Sequence, residues 1–480
     1  MKKFSVKVGM MKVGLVALLL LIELNSMAQL SFTELGSNQT GVAFRNTLTE
    51  SPQINVLTYQ YFHNGGGVSV GDINNDGLPD IYFTSNLEPN ILYLNKGNFQ
   101  FEDISATARV TGGRGWATGT SMVDINNDGF LDIYVCKSGN TNDEARRNRL
   151  YINNGDLTFT EAAAKYGLAD LGYSSQAYFM DYDRDGDLDL FLLNHPIKSV
   201  QGNAANQNLD FERDRLAGDK FFRNDDGLYV NISEEAGIAG SPIGYGLSAS
   251  VGDMNSDGYP DIYVCNDYLE RDYLYINNAD GTFTDRLKEN TGHISNFSMG
   301  SDIGDINNDG YLDIMVADMA AEDNYRSKTN MSGMNPERFW NYVDHGLHYQ
   351  YMINTLQLNN GDATFSEISQ LAGVDKTDWS WAPLLADFDQ DGLKDLFMSN
   401  GLRKEARNND FVKRKQKILE KMKEFPDSST FYLKRILDEM PEEPISNYLY
   451  LNKGDLKFSK EGNSGMETPT FSNGAAYADL

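Results

Sequence analysis

The stretch VGDINNDGLPDIYFTSN, Val70 to Asn86, sets oxygen-bearing side chains at alternate positions around a glycine, then runs into a β-branched and aromatic segment. Asp72, Asn74, Asp76 and Asp80 occupy positions 1, 3, 5 and 9 of a loop, and Gly77 stands at position 6, where the chain must turn sharply. Side chains at this spacing converge in a tight loop, and the carbonyl of Leu78 at position 7 adds a fifth oxygen. Hard oxygen ligands at this density suit Ca²⁺, which takes about six to eight in flexible geometry, better than Mg²⁺ with its strict octahedron. Asx-rich hairpin turns are the alternative, but turn chemistry needs no aspartate at position 9. The pattern matches the first half of an EF-hand loop, with a strand rather than a helix after it.

The cluster returns five times. Its ligand sets are Asp124, Asn126, Asp128, Phe130 and Asp132; Asp181, Asp183, Asp185, Asp187 and Asp189; and Asp253, Asn255, Asp257, Tyr259 and Asp261. They continue with Asp305, Asn307, Asp309, Tyr311 and Asp313, and with Asp387, Asp389, Asp391, Leu393 and Asp395. About six structural Ca²⁺ sites are therefore expected. The loops opening at Asp181 and Asp387 carry aspartate at positions 1, 3, 5 and 9, and bind tightest if charge governs.

A second signature follows each loop, reading LYLNKGNFQFED from Leu92 and LYINNGDLTFTE from Leu150, with later copies from Phe221, Leu274, Leu356 and Leu449. Each unit lays out as four short strands broken by Asn, Asp and Gly. Units of at least 50 residues with four strands each are propeller blades. The expected fold is thus all-β: a propeller of four-stranded blades, seven in number with the last truncated. FSNGAAYADL at the C-terminus restarts an inner strand, and LSFTEL (Leu30–Leu35) resembles an outermost strand without its blade. The sequence reads as a fragment whose ring closes by joining its two ends.

Bulk properties agree. The 480 residues are 40 % hydrophobic, enough for a large core, and the formal net charge of −28 excludes a general nucleic-acid binder. Lys2, Lys3, Lys7 and Lys12 precede the apolar run Val13–Leu24, and Ser26-Met27-Ala28 follows it. This reads as a signal peptide over residues 1–28, with the propeller over 29–480 and no transmembrane segment after cleavage; an uncleaved anchor is the alternative. The expected location is exported: periplasm, outer surface or secreted. Two cysteines, Cys136 and Cys265, make no disulfide framework; they hold equivalent positions in two repeats and should be buried.

The repeats resemble the FG-GAP, or VCBS, family, the propeller of integrin α chains and of many exported bacterial proteins. The nearest group is the one that resembles cartilage acidic protein and often carries an ASPIC/UnbV domain. The resemblance covers roughly residues 30–480 and implies structural loop calcium and a role in adhesion or ligand binding.

If the acidic loops line one face, the connections between second and third strands emerge on the other. They are long at about Asn194–Lys220, Ala317–Asn354 and Asn400–Asn447. Variable insertions on a rigid scaffold are where binding concentrates. The last contains NNDFVKRKQKILEKMKEF, with Phe411, Ile418, Leu419, Met422 and Phe425 on one helical side, and residues 401–424 hold nine Lys/Arg against four acids. It is either a solvated basic face or a dock for an acidic partner or glycan. Aromatic residues also stand eight positions before the first aspartate of five of the six loops, at Trp116, Tyr173, Tyr245, Phe297 and Trp379, with Trp381 beside the last and Phe471 in the C-terminal restart; the first loop has Asn64 there. They either pack the crossovers between blades or ring the channel mouth to stack on a ligand. The expected function is a protein- or glycan-binding module rather than an enzyme. The alternatives are a polysaccharide-active enzyme using Glu405, Asp410, Asp344 or Glu322, and an inactive fragment of a longer protein.

Overall fold

A computed structural model describes residues 31–139, 141–197, 212–330 and 335–478. The signal peptide, part of the third-blade insertion and Asp479 lie outside the described residues.

Each acidic loop closes an antiparallel hairpin, and the register is the same in all six. Position 9 pairs with the residue just before position 1: Gly71 with Asp80, Val123 with Asp132, Met180 with Asp189, Gly252 with Asp261, Gly304 with Asp313 and Ala386 with Asp395. Two further strands add outward in chain order, giving six four-stranded antiparallel sheets over residues 68–103, 116–161, 174–231, 245–285, 301–367 and 380–460. These sheets are the blades of an all-β propeller, blades one to six.

Strand periodicity builds the core. In the second strand of a blade, successive side chains point to opposite faces, so each strand feeds two inter-blade layers. Ile133 and Val135 pack with Tyr82 of blade one, while Tyr134 and Cys136 pack with Leu190 and Leu192 of blade three. Phe191 and Leu193 then meet Ile262 and Val264, and Tyr263 and Cys265 meet Ile314 and Val316. Met315 and Ala317 meet Leu396 and Met398. Both cysteines are buried free thiols at equivalent positions, as the repeat alignment required.

The two ends of the chain meet between blades six and one. Ser472 N–H donates to Asn400 O (2.9 Å), and Asn473 packs against Gly65 while its amide donates to His63 O (3.1 Å). On the loop side, Phe32 N–H donates to Ser464 O (2.6 Å) and the Phe32 ring meets Phe388 edge-on at 5.9 Å. A complete seventh sheet is not present among the described residues; the gap is occupied by these two end segments.

Residues 51–64 form an element that sequence periodicity does not announce. They cross the channel mouth on the face away from the acidic loops and bury Tyr59, Tyr61 and Phe62. Above them lies the sixth-blade insertion, where helix α1 (Asn409–Glu424) pairs with helix α2 (Ser429–Asp438). Phe411 and Ile418 of α1 pack on Ile436 and Leu437 of α2, with Val56 and Leu57 against the same cluster. The expected apolar side of α1 holds except at Phe425, which falls just past the helix end and is exposed.

Candidate functional site

The acidic loops share one backbone geometry. The residue at position 4 is left-handed in all six, with φ of 57° to 62° at Asn75, Asn127, Arg184, Ser256, Asn308 and Gln390. Asn tolerates that conformation well and holds three of the six positions. Position 1 then gathers amides: Gly77 N–H donates to Asp72 Oδ2 (2.7 Å) and Asp76 N–H to Oδ1 (3.2 Å), and the same pair recurs at Asp124, Asp253, Asp305 and Asp387. Where position 3 is Asn, its amide donates to the position-5 carboxylate, as Asn74 does to Asp76 (3.0 Å).

Position 9 is different: its carboxylate is buried in every blade. Asp80 accepts Ile73 N–H on Oδ2 (3.0 Å) and Asn95 N–H on Oδ1 (2.7 Å). Burial, assisted by the acids at positions 1 and 5, pushes Asp80, Asp132 and Asp313 up to about 6 and Asp261 to about 7. Asp189 also rises to about 7, chiefly by burial.

These loops fit a hard cation. In the third, Asp181 Oδ1 and Asp187 Oδ1 are buried without a hydrogen-bond partner, so oxygen lone pairs face inward with nothing to receive. Carboxylate oxygens of Asp181, Asp183 and Asp185 lie within 4.8 Å of one another, as do those of Asp387, Asp389 and Asp395. Position 3 is Asp in both loops, so no side-chain amide relieves the repulsion there.

One recurring residue was visible in the sequence without its role being legible. The Asn at the end of the third strand of each blade, one residue before the end in blade three, is buried, at Asn95, Asn153, Asn224, Asn277, Asn359 and Asn452. Its backbone N–H holds the position-9 aspartate of its own loop, and in four blades its side-chain amide reaches the preceding blade. Asn153 donates to Ile73 O, Asn277 to Tyr182 O, Asn359 to Met254 O and Asn452 to Ile306 O, each at 2.8 Å. Asn95 and Asn224 instead reach Pro79 O (2.9 Å) and Leu188 O (3.4 Å) of their own blades.

On the opposite face the aromatic residues are enclosed, not open. Trp116 is buried under Tyr59 and Phe62 (5.3 and 5.4 Å between ring centres), and Tyr245 under Tyr61 (6.0 Å). Tyr61 also packs on His195 at 4.5 Å; burial lowers that histidine to about 4, so the imidazole is neutral. Trp379 and Trp381 are buried between blades five and six, and Trp381 Nε1–H donates to Gly401 O (2.7 Å). Phe297 shares that cluster, while Tyr173 is half-buried beneath the Arg146 guanidinium (4.9 Å). An open aromatic ring at the channel mouth is therefore not formed.

Cavities remain beside these side chains. One of about 310 Å³ lies in the channel between Trp116 and Trp381; another of about 700 Å³ opens between blades one and two, over Trp116, Tyr59 and Leu87. A third, of about 420 Å³, lies beside Phe297 between the fifth- and sixth-blade insertions. Of the carboxylates considered for catalysis, Glu405 is ion-paired to Arg326 (2.8 Å), Glu322 to Lys460 (2.6 Å) and Asp410 to Lys413 (3.7 Å), while Asp344 is exposed at the end of a helix.

The FG-GAP-like repeat pattern matches residues 72–135, 138–192, 253–316 and 339–398, just over half of the chain. The chain belongs to the FG-GAP-like repeat family. It is 29 % identical over 201 residues to cartilage acidic protein 1 of Xenopus tropicalis and 28 % identical over 201 residues to the human protein. Each match takes in 42 % of this chain and only 28 % of the relative's length. Among solved structures, an Agrocybe aegerita lectin described as recognising non-reducing terminal N-acetylglucosamine is 16 % identical, with 84 % of this chain and 81 % of that one covered and a TM-score of 0.44. The Vibrio cholerae biofilm matrix protein Bap1 is 12 % identical with a TM-score of 0.28, over 54 % of this chain and 36 % of that one. The FG-GAP assignment stands on the chain's own repeats and sheets. Among the described residues no helix is long and apolar enough to cross a membrane.

Proposed function

We propose that this FG-GAP propeller is an exported, calcium-stabilised binding module, not an enzyme, that holds a protein or glycan ligand on the face opposite its acidic loops. Each loop would take one Ca²⁺ through its carboxylate and amide oxygens at positions 1, 3, 5 and 9 and the carbonyl at position 7. The ion would supply charge compensation that the loops lack. The supporting observation is a division between faces: the six acidic hairpins lie at one end of the blades, while the long insertions and two of the cavities lie at the other. Rigid sheets then carry variable connections, the usual arrangement of binding loops on a scaffold.

Thermal unfolding with excess Ca²⁺ and with a chelator tests the reading. A ligand bound only by the native state raises stability by about 2.7 kcal/mol per site at a hundredfold excess over its dissociation constant. Six sites should therefore shift the midpoint far upward. A melt indifferent to calcium would leave the loops as Asx-rich turns and remove the calcium half of the proposal.

A further inference from the structure

The cavity beside Phe297 differs in charge from the rest of this acidic molecule. Arg338 and Arg407 line it, and no carboxylate does among the described residues. The Arg407 guanidinium lies over the Phe297 ring (5.3 Å) and the Tyr268 ring (4.8 Å); Asp267, the carboxylate electrostatically nearest to it, is buried outside the lining. Arg338 is exposed at the mouth, stacked over Tyr342 at 5.1 Å with its Nε–H donated to the Tyr342 hydroxyl. The Phe339 ring supplies an apolar wall.

Gln350 adds an independent sign of a missing partner. Its side chain lines the cavity and is 2 % exposed, and its Nε2 donates to Leu347 O (2.8 Å). That bond fixes the amide orientation, because a flipped amide would set two acceptors against each other. Oε1 is then a buried acceptor with no donor. Buried polar groups are normally paired.

From these three demands we infer that the cavity binds an acidic sugar residue of a glycan. The carboxylate meets Arg338 and Arg407, the C–H face of the ring lies on Phe339, and a hydroxyl donates to Gln350 Oε1. A bare anion would use the arginines but leave the aromatic wall and the glutamine idle. A neutral sugar would leave the arginines idle. The volume of about 420 Å³ falls within the range of small-ligand pockets, about 300–1,000 Å³. This inference rests on the reading that ligands dock opposite the acidic loops.

The test is calorimetric titration of the calcium-loaded chain with a galacturonic acid trisaccharide, a neutral galactose trisaccharide and inorganic sulfate. The acidic trisaccharide should bind, the neutral one at least about tenfold more weakly, and Arg338→Gln and Phe339→Ala should each cost about tenfold, the scale of one charge-assisted contact. Arg338 is exposed, so its variant should keep the parent melting temperature; Phe339 is half-buried against Trp340 and Tyr351, so its variant is titrated below its own melting transition. Equal binding of acidic and neutral sugars, or displacement by stoichiometric sulfate, overturns the inference. So does acidic-sugar binding indifferent to both variants; if it is lost instead in Trp116→Ala, the docking face stands and only this cavity is wrong. No binding of any trisaccharide overturns the inference too. The wider reading then turns on whether a protein ligand can be cross-linked to the insertions.

Discussion

Asn153 does two jobs with one side chain and one backbone group, and they can be separated. Its N–H secures Asp132, and its amide secures the Ile73 carbonyl across the blade boundary. Asn153→Ala keeps the first contact and strands a buried carbonyl, so unfolding free energy should fall by about 1–3 kcal/mol. Asn224→Ala, where the amide N–H makes only a 3.4 Å contact within its own blade and the amide oxygen accepts from Gly227 as Asn153 does from Gly155, should cost clearly less by the same denaturant titration. Equal losses would mean that the cross-blade bond contributes nothing. The recurrence of this Asn was plain in the second signature. Its role was not, because the partner is a main-chain carbonyl 80 residues away, and a carbonyl leaves no mark in sequence. Tyr61 offers a second test. Its hydroxyl is buried without a partner, so Tyr61→Phe should be neutral or stabilising by up to about 1 kcal/mol. Tyr61→Ala, which empties the space against His195 and Tyr245, should cost about 3–5 kcal/mol. A clear loss of stability in Tyr61→Phe would show that the hydroxyl is bonded after all.

At the scale of the element, each hairpin carries a protonation signature. Without a cation, burial raises the position-9 aspartates, Asp80, Asp132 and Asp313 to about 6, Asp189 and Asp261 to about 7 and Asp395 in the same direction, so the fold binds protons that the unfolded chain would release. A raised folded-state value gives stability that is fully present at low pH and lost as pH rises through it. In chelator, the melting temperature should therefore fall between pH 5 and pH 8. Calcium should flatten that slope without abolishing it, since Asp272 and Asp318, which follow the far ends of strands that the loops open, are also raised to about 7 by burial. Measuring both series decides the matter: a chelated melting temperature that climbs with pH would contradict the sign. Most of this element could be read in advance. Alternating oxygens, the glycine and the following strand all lie within seventeen residues of sequence, where local chemistry dictates local shape.

Across the whole molecule the sequence was least informative, for a physical reason. Blades announce themselves because each repeats the same local pattern, whereas residues 51–64 occur once and have no helical or strand period. Their conformation is set by Trp116, His195 and Tyr245, which arrive from three different blades. The fate of the aromatic residues followed from that segment. Either of two readings was open until something was known to cover them. Ring closure was legible in outline, because an orphan strand expected at one end and a restarted strand expected at the other implied a shared gap, although neither end segment forms a strand among the described residues. What fills the gap, Asn473 against Gly65 and Phe32 beside Phe388, depended on contacts between segments more than 350 residues apart.

The departure of Asn224 has a mechanical meaning. Amide links run from blade two to one, and from six through five and four to three, but not from three to two, and the Asn95 amide stays within blade one. The circle is thus two tethered arcs, and at the seam between blades two and three the buried asparagine link gives way to hydroxyl contacts, with Thr118 donating to Ser174 O (2.7 Å) and Ser121 to Ala177 O (2.8 Å). Under native-state hydrogen exchange, amides flanking that seam should open together at lower free energy than those at the other four joints. The molecule would then breathe like a clasp, hinged where a single asparagine turned inward.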